Sequence, residues 1–251
     1  MKVSELIYQP GNSLVKQSRG VTDEGRTNGD GFGLSWYGKR EKPYIYKSTQ
    51  PVWNDTNLKC LGDYIESSCL LAHIRAATEG KVTQTNCHPF YYRQYSMVHN
   101  GEVRGFSEIK RELLSRLNQE LFLALEGQTD SELLFYYIMQ FVIEGESLDK
   151  AVVKAFSDIV KLQKGSSEDH YVRLNIAITD GENLVATRYS SKEKPNLSLY
   201  YTPISSDNSG CIIASEALTD CDKTWAELAK NHMLTVNQSS TEVSIKPMDL
   251  S

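Results

Sequence analysis

Residues 95–117 read Y-S-M-V-H-N-G-E-V-R-G-F-S-E-I-K-R-E-L-L-S-R-L, and the spacing of their apolar side chains changes partway along. Residues 95–99 have the composition of a buried strand, whereas the apolar residues from 106 onward recur on one face of a helix. Further helical patterns follow at 129–143 and 147–162. The change of period therefore separates a strand-rich first part of the chain from a helical middle.

Strand patterns occur on both sides of this helical middle. After it, R-L-N-I-A-I-T-D-G-E-N-L-V-A-T-R-Y at 173–189 predicts a hairpin. The grouping favours an α+β fold with separate layers over alternating βαβ units, and no linker or repeat divides the chain. The remaining predicted elements are a short helix at 3–7 and strands at 31–37, 42–47, 68–75, 198–202, 211–215, 233–236 and 242–246.

The composition excludes several classes of protein. Hydrophobic residues make up 40% and charged residues 24% of the 251, which are ordinary globular values. The formal net charge of −5 argues against a nucleic-acid partner, which requires a basic surface. Five cysteines without a C-x-x-C pair argue against a disulfide framework or a zinc ribbon. Because no secretory signal or membrane-spanning apolar run occurs, we expect a cytoplasmic protein.

The pair Asn100-Gly101 has two interpretations. Both residue types tolerate positive φ, which a two-residue hairpin turn requires at its central positions. Alternatively, an Asn amide and the backbone N–H that follows it can together stabilise a developing negative charge. The pair alone does not decide between a turn and a catalytic role.

The glycine-rich stretch N-G-D-G-F-G at 28–33 has some likeness to a phosphate-binding loop. A dinucleotide fingerprint has a strand before its glycines and a helix after them, whereas here a polar segment precedes and a strand follows. We therefore interpret the stretch as a turn entering a strand, or as a place of close backbone approach.

The strand pattern at 68–75 ends at Arg75. Strand alternation places His73 and Arg75 on the same face. A buried Arg at the end of a strand requires an anion, which is either a bound carboxylate or the partner in an internal salt bridge.

N-C-H-P-F at 86–90 places Cys87 beside His88. In an extended chain the two side chains point to opposite faces, so they are not expected to form a nucleophile–base pair. A buried structural cysteine is the favoured interpretation of Cys87. The histidines at 73, 88 and 99 suffice in number for a metal site but lack any metal-ligand spacing, and no metal is expected.

T-D-S-E at 129–132 predicts the start of a helix. Thr129 is expected to cap it, with Glu132 completing a capping box. Asp130 would then lie in the first turn, where the helix dipole favours a carboxylate. If a pocket faces it, this carboxylate can also bind an ammonium group.

Taken in order, five motifs resemble the class II (N-terminal nucleophile) glutamine amidotransferases. They are N-G-D-G-F-G, A-H-I-R-A-A-T, N-C-H-P-F, H-N-G and G-Q-T-D-S-E. Segments at 12–18, 51–58, 99–106 and 214–218 are similar to one branch. That branch contains the amidotransferase-like subunit of the yeast glutathione-degradation complex and, more distantly, the γ-glutamyl amide hydrolase of ergothioneine biosynthesis. The resemblance covers nearly the whole chain and implies one domain over residues 1–251.

The resemblance implies a four-layer αββα sandwich of two mostly antiparallel sheets. Arg75 would bind the α-carboxylate of a glutaminyl or γ-glutamyl substrate, Asp130 would bind its α-ammonium group, and Thr78 would line the pocket. Asn100 and the N–H of Gly101 would form an oxyanion hole, which fits amide cleavage because the donors lie where negative charge develops. Further candidate pocket residues are His73, Glu79, His88, Asn28 and Asp30.

The family's nucleophile is a cysteine directly after the initiator methionine, and its free α-amine serves as the base. Position 2 here is Lys, and neither Ser4 nor any of the five cysteines matches this pattern. We therefore expect the first strand, with its Cys-Arg start, to be missing and the chain as given to be inactive. A downstream start or a shortened chain explains this, and so does a non-catalytic γ-glutamyl-binding or partner-binding subunit.

The resemblance implies a hydrolase of a γ-glutamyl amide and leaves open whether the substrate is glutamine, glutathione or a related compound. A second protein subunit and a homo-oligomer are candidate partners, and no cofactor, nucleic acid or membrane is expected. A separate hypothesis, a cysteine hydrolase that uses Cys87, requires a reactive thiol at that position.

Overall fold

The computed structural model describes residues 1–20, 27–76, 81–163, 169–193, 197–204, 210–219, 224–237, 239 and 242–250. Within these ranges there are seven α-helices and twelve strands. The helices are α1 (Val3–Ile7), α2 (Leu14–Arg19), α3 (Thr56–Leu61), α4 (Phe106–Ser115), α5 (Gln119–Leu123), α6 (Asp130–Ile143) and α7 (Leu148–Gln163). The strands are β1 (Phe32–Trp36), β2 (Tyr44–Ser48), β3 (Leu70–Ile74), β4 (Phe90–Tyr92), β5 (Tyr95–Val103), β6 (Val172–Thr179), β7 (Asn183–Arg188), β8 (Tyr200–Pro203), β9 (Cys211–Ala214), β10 (Ala226–Glu227), β11 (His232–Asn237) and β12 (Glu242–Pro247).

The strands form three antiparallel sheets. A six-stranded sheet has the order β12-β11-β7-β6-β5-β4, and two three-stranded sheets have the orders β2-β1-β3 and β10-β8-β9. Helices α4, α6 and α7 pack on one face of the large sheet and form the main core with β5 and β6. Helices α1 and α3 cover the outer face of β1 in a second core. The predicted α+β fold of four αββα layers is therefore confirmed.

The two sheet layers contact each other through polar as well as apolar side chains. The Ser35 hydroxyl of β1 lies 3.0 Å from the Ser96 hydroxyl of β5. The Tyr37 hydroxyl donates to the Thr179 carbonyl of β6 at 3.1 Å. Such bonds satisfy buried groups and fix how the small sheet lies over the large one.

The interpretation of Asn100-Gly101 as a hairpin turn is wrong. Strand β5 continues through both residues, and Asn100 pairs with Asn175 of β6 and Gly101 with Leu174. A Cβ atom at position 101 would lie 2.0 Å from the Arg173 carbonyl oxygen. Glycine is required there because β6 approaches β5 too closely for any side chain. The glycine therefore reflects strand packing and not a turn.

The start of α6 differs in part from its prediction. Thr129 caps the helix as expected, since its hydroxyl accepts from the backbone N–H of Glu132 at 3.1 Å. The Glu132 carboxylate does not complete a capping box on Thr129. It is buried and accepts instead from the backbone N–H groups of Glu126 at 2.8 Å and Gly127 at 2.8 Å. Glu132 therefore holds the loop that precedes the helix.

The glycine-rich stretch at 28–33 is a site of close backbone approach within the chain itself. A Cβ atom at Gly33 would lie 2.2 Å from the His88 carbonyl oxygen. The stretch thus allows β1 to lie against residue 88, which brings the N-C-H-P-F segment over the inner face of β3. In the part of the chain that the structure describes, no helix is both long enough and apolar enough to cross a bilayer.

We expect Gly33→Ala to destabilise the fold by about 3 kcal/mol or more, because the new methyl group collides with a backbone carbonyl that cannot rotate away. Gly38→Ala is the matched control, since the nearest atom to its Cβ is Cε2 of the Tyr44 side chain at 3.3 Å. Urea denaturation of both variants measures the difference. Equal stabilities for the two variants would contradict the close approach.

Candidate active site

A cavity of about 500 Å³ lies between the sheet layers and is bounded by β3, β5, β6 and β9. Most of the sequence-predicted site residues that the structure describes line it. Thr78 and Glu79 lie outside the described residues, and Asp30 is near the cavity, where its backbone N–H donates to the Arg75 carbonyl at 3.1 Å. The predicted residues in the lining are Asn28, His73, Arg75, His88, Asn100, Gly101 and Asp130.

Arg75 directly follows β3 and is 5% exposed. Its backbone N–H donates to the Gly31 carbonyl at 2.9 Å, and its Nη1 donates to the Lys81 carbonyl at 3.2 Å. The guanidinium is thereby held in the cavity wall, and its planar set of donors suits a carboxylate bound through two parallel hydrogen bonds.

Asp130 is the first residue of α6 and lines the cavity from the helical layer. Its Oδ2 accepts from the backbone N–H of Val103 at 2.8 Å, and its Oδ1 accepts from the N–H of Ser131 at 2.7 Å. These bonds tie the start of α6 to the end of β5 and fix the carboxylate. Because each carboxylate oxygen accepts more than one hydrogen bond, the group can also receive an ammonium ion.

The Asn100 side chain projects from β5 toward the cavity. Its Nδ2 donates to the Ser215 hydroxyl at 3.1 Å, just beyond the end of β9. An amide has two N–H groups, so this bond orients the side chain and uses only one of them. The oxyanion hole predicted from the sequence would use the second N–H of this amide together with the backbone N–H of Gly101.

His99 connects strand β5, which carries Asn100, to helix α6, which begins at Asp130. Its Nε2 lies 3.0 Å from the Arg173 carbonyl, which can only accept, so Nε2 carries the proton. Its Nδ1 therefore accepts from the Ser131 hydroxyl at 2.8 Å. The residue before Asn100 is thus bonded to the residue after Asp130. Sequence reasoning missed Ser131 and Ser215, since a serine in a capped helix start or after a strand carries no distinguishing pattern.

Three histidines form one wall of the cavity. The rings of His73 and His88 lie 4.1 Å apart, and neither ring nitrogen of His88 has a hydrogen-bond partner among the described residues. Burial, followed by the charges of His99 and Arg75, lowers the pKa of His73 to about 4. Burial likewise lowers the pKa of His88 well below its usual value and lowers that of His99. The wall is therefore uncharged at neutral pH.

Two of the described cysteines bear on nucleophilic chemistry, and burial raises the thiol pKa of both. Cys87 is fully buried, and its Sγ contacts the Thr83 carbonyl at 3.4 Å rather than the cavity. Cys211 lines the cavity, but burial raises its pKa to about 11. Neither thiol is activated as a nucleophile, which argues against a cysteine hydrolase that uses Cys87. No three His, Cys, Asp or Glu side chains of the described residues are placed to hold a metal ion.

A four-layer αββα sandwich with this cavity between its sheets is the architecture of the Ntn-type glutamine amidotransferases. The sequence model of the family "Glutamine amidotransferases class-II" matches residues 12–249. The chain belongs to the class II glutamine amidotransferase family.

Two similar sequences and one solved structure extend this finding. "Probable glutamine amidotransferase DUG3" of Saccharomyces cerevisiae is 30% identical over 96% of this chain and 79% of its own length. "Gamma-glutamyl-hercynylcysteine sulfoxide hydrolase" of Mycolicibacterium smegmatis is 26% identical over 96% of this chain and 93% of its own. A glutamine aminotransferase class-II domain protein from Silicibacter pomeroyi superposes with a TM-score of 0.71 at 29% identity, covering 88% of this chain and 92% of that one.

The histidine wall predicts acid sensitivity. The pKa of a histidine in an unfolded chain is about 6.5, whereas the pKa values of these three are lowered in the folded protein. Stability is therefore complete above about pH 6.5 and falls as the pH drops toward the folded pKa values, near 4 for His73. Each histidine contributes at most about 1.4 kcal/mol per pH unit.

Because the His88 ring nitrogens lack partners, His88→Phe should leave stability at pH 7 within about 1 kcal/mol of wild type. It should also make the loss of stability between pH 6.5 and 4 shallower. Urea denaturation across this range measures both quantities. An unchanged slope in the variant would show that His88 is not a buried neutral group.

Proposed function

We propose that this protein hydrolyses a γ-glutamyl amide, namely glutamine, glutathione or a related compound, through an N-terminal cysteine thiol. The supporting observation is that Arg75, Asp130 and the Asn100-Gly101 pair meet at one cavity. A cation and an anion at fixed positions suit the zwitterionic head of an amino acid. The Asn100 amide and the Gly101 N–H belong to the same lining and would hold the carbonyl of the substrate.

In the proposed reaction the thiol adds to the γ-carbonyl carbon, and its proton passes to the α-amine of the same cysteine. The resulting oxyanion accepts hydrogen bonds from the Asn100 Nδ2 and the Gly101 N–H. The C–N bond then breaks, the α-amine returns the proton to the leaving nitrogen, and a thioester forms. Water hydrolyses the thioester and releases glutamate. One such oxyanion donor is typically worth about 10²–10³ in rate.

The nucleophile is the part of this proposal that the given residues do not supply. Lys occupies position 2, and Cys87 and Cys211 are unsuitable for the physical reasons given above. We therefore propose that residues 1–251 form one amidotransferase domain that acts together with an additional first strand beginning in cysteine. The hydrolase named among the relatives supports a γ-glutamyl substrate, because that protein is named for one.

A second candidate function is γ-glutamyl binding without catalysis, as a subunit that requires another protein. Lys2 and the unactivated thiols of Cys87 and Cys211 favour this function, because they supply no nucleophile. Arg75 and Asp130 would then serve recognition alone. The two functions share the same ligand and differ in turnover.

The chain as it stands should bind L-glutamate, which supplies both charged groups of the head. Glutarate lacks the ammonium group and 4-aminobutyrate lacks the α-carboxylate, so each loses one charge-assisted bond and should bind about 10- to 100-fold more weakly. Asp130→Asn should reduce the preference for glutamate over glutarate. NMR titration measures all three affinities, and equal affinities would contradict the assignment of Arg75 and Asp130.

A chain extended at Met1 by a strand that begins with a free cysteine should release glutamate from glutamine or glutathione. Asn100→Ala in that chain should lower kcat by about 10²–10³ with a small change in KM, because the lost donor acts mainly on the transition state. The matched control replaces the new cysteine by serine. Absence of glutamate release from glutamine, glutathione and other γ-glutamyl amides would overturn the hydrolase proposal.

A further inference from the structure

Strand β12 forms one edge of the six-stranded sheet. In the sheet order β12-β11-β7-β6-β5-β4 it pairs with β11 alone among the described residues. All of its residues, Glu242–Pro247, are exposed. Because an edge strand presents a row of backbone donors and acceptors, the outer side of β12 is a surface on which another strand can pair.

The bonds to β11 determine which backbone groups of β12 face this outer side. The Met248 N–H donates to the Asn231 carbonyl at 2.8 Å, directly beyond the pair formed by His232 and Pro247. Hydrogen-bonded and non-hydrogen-bonded pairs alternate along an antiparallel ladder. Pro247 is therefore in a non-hydrogen-bonded pair, and its backbone faces outward, which is where an edge strand tolerates proline.

The same alternation assigns the rest of β12. Ser244 and Lys246 are in hydrogen-bonded pairs with β11, whereas Val243 and Ile245 direct their N–H and C=O groups outward. Pro247 offers only its carbonyl on this side, because proline has no N–H. Positions 243 and 245 are thus the places where a strand added to β12 can exchange a full pair of bonds.

The sequence of β12, E-V-S-I-K-P, is complementary to itself in antiparallel orientation. When Ser244 lies opposite Ser244 of a second copy, Glu242 lies opposite Lys246 of that copy and Val243 lies opposite Ile245. Pairs of opposite charge and pairs of β-branched side chains both stabilise neighbouring strands. A twofold axis at Ser244 repeats each of these pairs.

This register also uses the outward backbone groups fully. Each pair of Val243 with Ile245 of the other copy exchanges two hydrogen bonds, and none of them requires an N–H from Pro247. In the register centred on Ile245, by contrast, Val243 would lie opposite Pro247 and Ser244 opposite Lys246. That register loses donors and both charge pairs, so the register centred on Ser244 is favoured.

The side chains of β12 are placed for such a contact on both faces. The Lys246 ammonium lies 2.7 Å from the Asp149 carboxylate of α7, which holds it beside the strand. Because an ammonium group has three donors, it can also bind Glu242 of a second copy. On the opposite face Val243 and Ile245 are exposed, and pairing would cover them.

We propose that two copies of this chain pair through β12, antiparallel about a twofold axis at Ser244, so that two six-stranded sheets join into one. No residue of β12 lines the cavity, and three strands separate β12 from β5. The inference is therefore independent of the proposed function. Since a short ladder buries less surface than a standard interface, we expect a dissociation constant in the micromolar range.

The experiment uses sedimentation equilibrium with the chain and two charge-reversed variants. Glu242→Lys brings like charges together at both ends of the ladder, and so does Lys246→Glu. Each should weaken dimerisation about 10-fold or more. An equimolar mixture of the two variants again places opposite charges at both ends and should recover the original affinity. Lys246→Glu also removes the ion pair with Asp149, but only contact between the copies explains recovery in the mixture.

Hydrogen exchange identifies the strand that pairs. The N–H groups of Val243 and Ile245 should exchange more slowly as the protein concentration rises, whereas the Ser244 N–H, which bonds to β11, should change little. Ile245→Pro removes one outward donor without a change of charge or of the bonds to β11. It should abolish dimerisation, and urea denaturation verifies that the variant is folded.

Three results would overturn the proposal. The first is a chain that stays monomeric throughout the micromolar range. The second is a dimer whose affinity neither falls in the charge-reversed variants nor recovers in their mixture. The third is concentration-dependent protection at β3 or β4 in place of β12, which would show that another sheet edge forms the contact.

Discussion

The close approach of β5 and β6 at the Arg173 carbonyl is the constraint on which the site depends. Glycine at 101 allows this approach, and His99 donates to the same carbonyl. The Nδ1 of His99 in turn accepts a hydrogen bond from the Ser131 hydroxyl, and Ser131 follows Asp130 at the start of α6. One backbone oxygen therefore fixes the position of the amide donors in the sheet relative to a carboxylate on the helix. A shift of register by one residue would turn Asn100 away from the cavity.

The electrostatics of the cavity follow from the same packing. The three histidines are uncharged at neutral pH because their burial disfavours the protonated form. Arg75 and Asp130 are two charged residues of opposite sign in the cavity lining, which also contains Glu102, Arg173 and Glu216. The neutral histidines add no charge to this lining, whereas a protonated His73 would add a positive charge near Arg75. In the proposed function, Arg75 and Asp130 bind the head of the substrate, and the Asn100 amide with the Gly101 N–H binds its carbonyl.

Much of the fold could be predicted from local pattern, and the placement of the site could not. The hairpin at 173–189 and the helices at 106–117 and 147–162 have clear periods, and the structure contains β6 with β7, α4 and α7 at these positions. The sequence leaves Asn100-Gly101 open between a turn and a catalytic pair because turn propensity is local, whereas the requirement for Gly101 comes from a strand about 70 residues away. The partners of Glu132 could not be predicted either, because its carboxylate accepts from the N–H groups of Glu126 and Gly127 and not from the residue that a capping box requires. Ser131 and Ser215 gain their roles only from neighbours that the fold brings to them.

The central claim is that the cavity holds a γ-glutamyl head in one orientation. A crystal structure of the chain with L-glutamate tests it most directly. The account predicts the α-carboxylate about 3 Å from the Arg75 guanidinium, the ammonium group about 3 Å from the Asp130 carboxylate, and a γ-carboxylate oxygen on the Asn100 amide and the Gly101 N–H. Glutamate bound in the reverse orientation, or at a place that Asn100 and Asp130 do not contact, would contradict it.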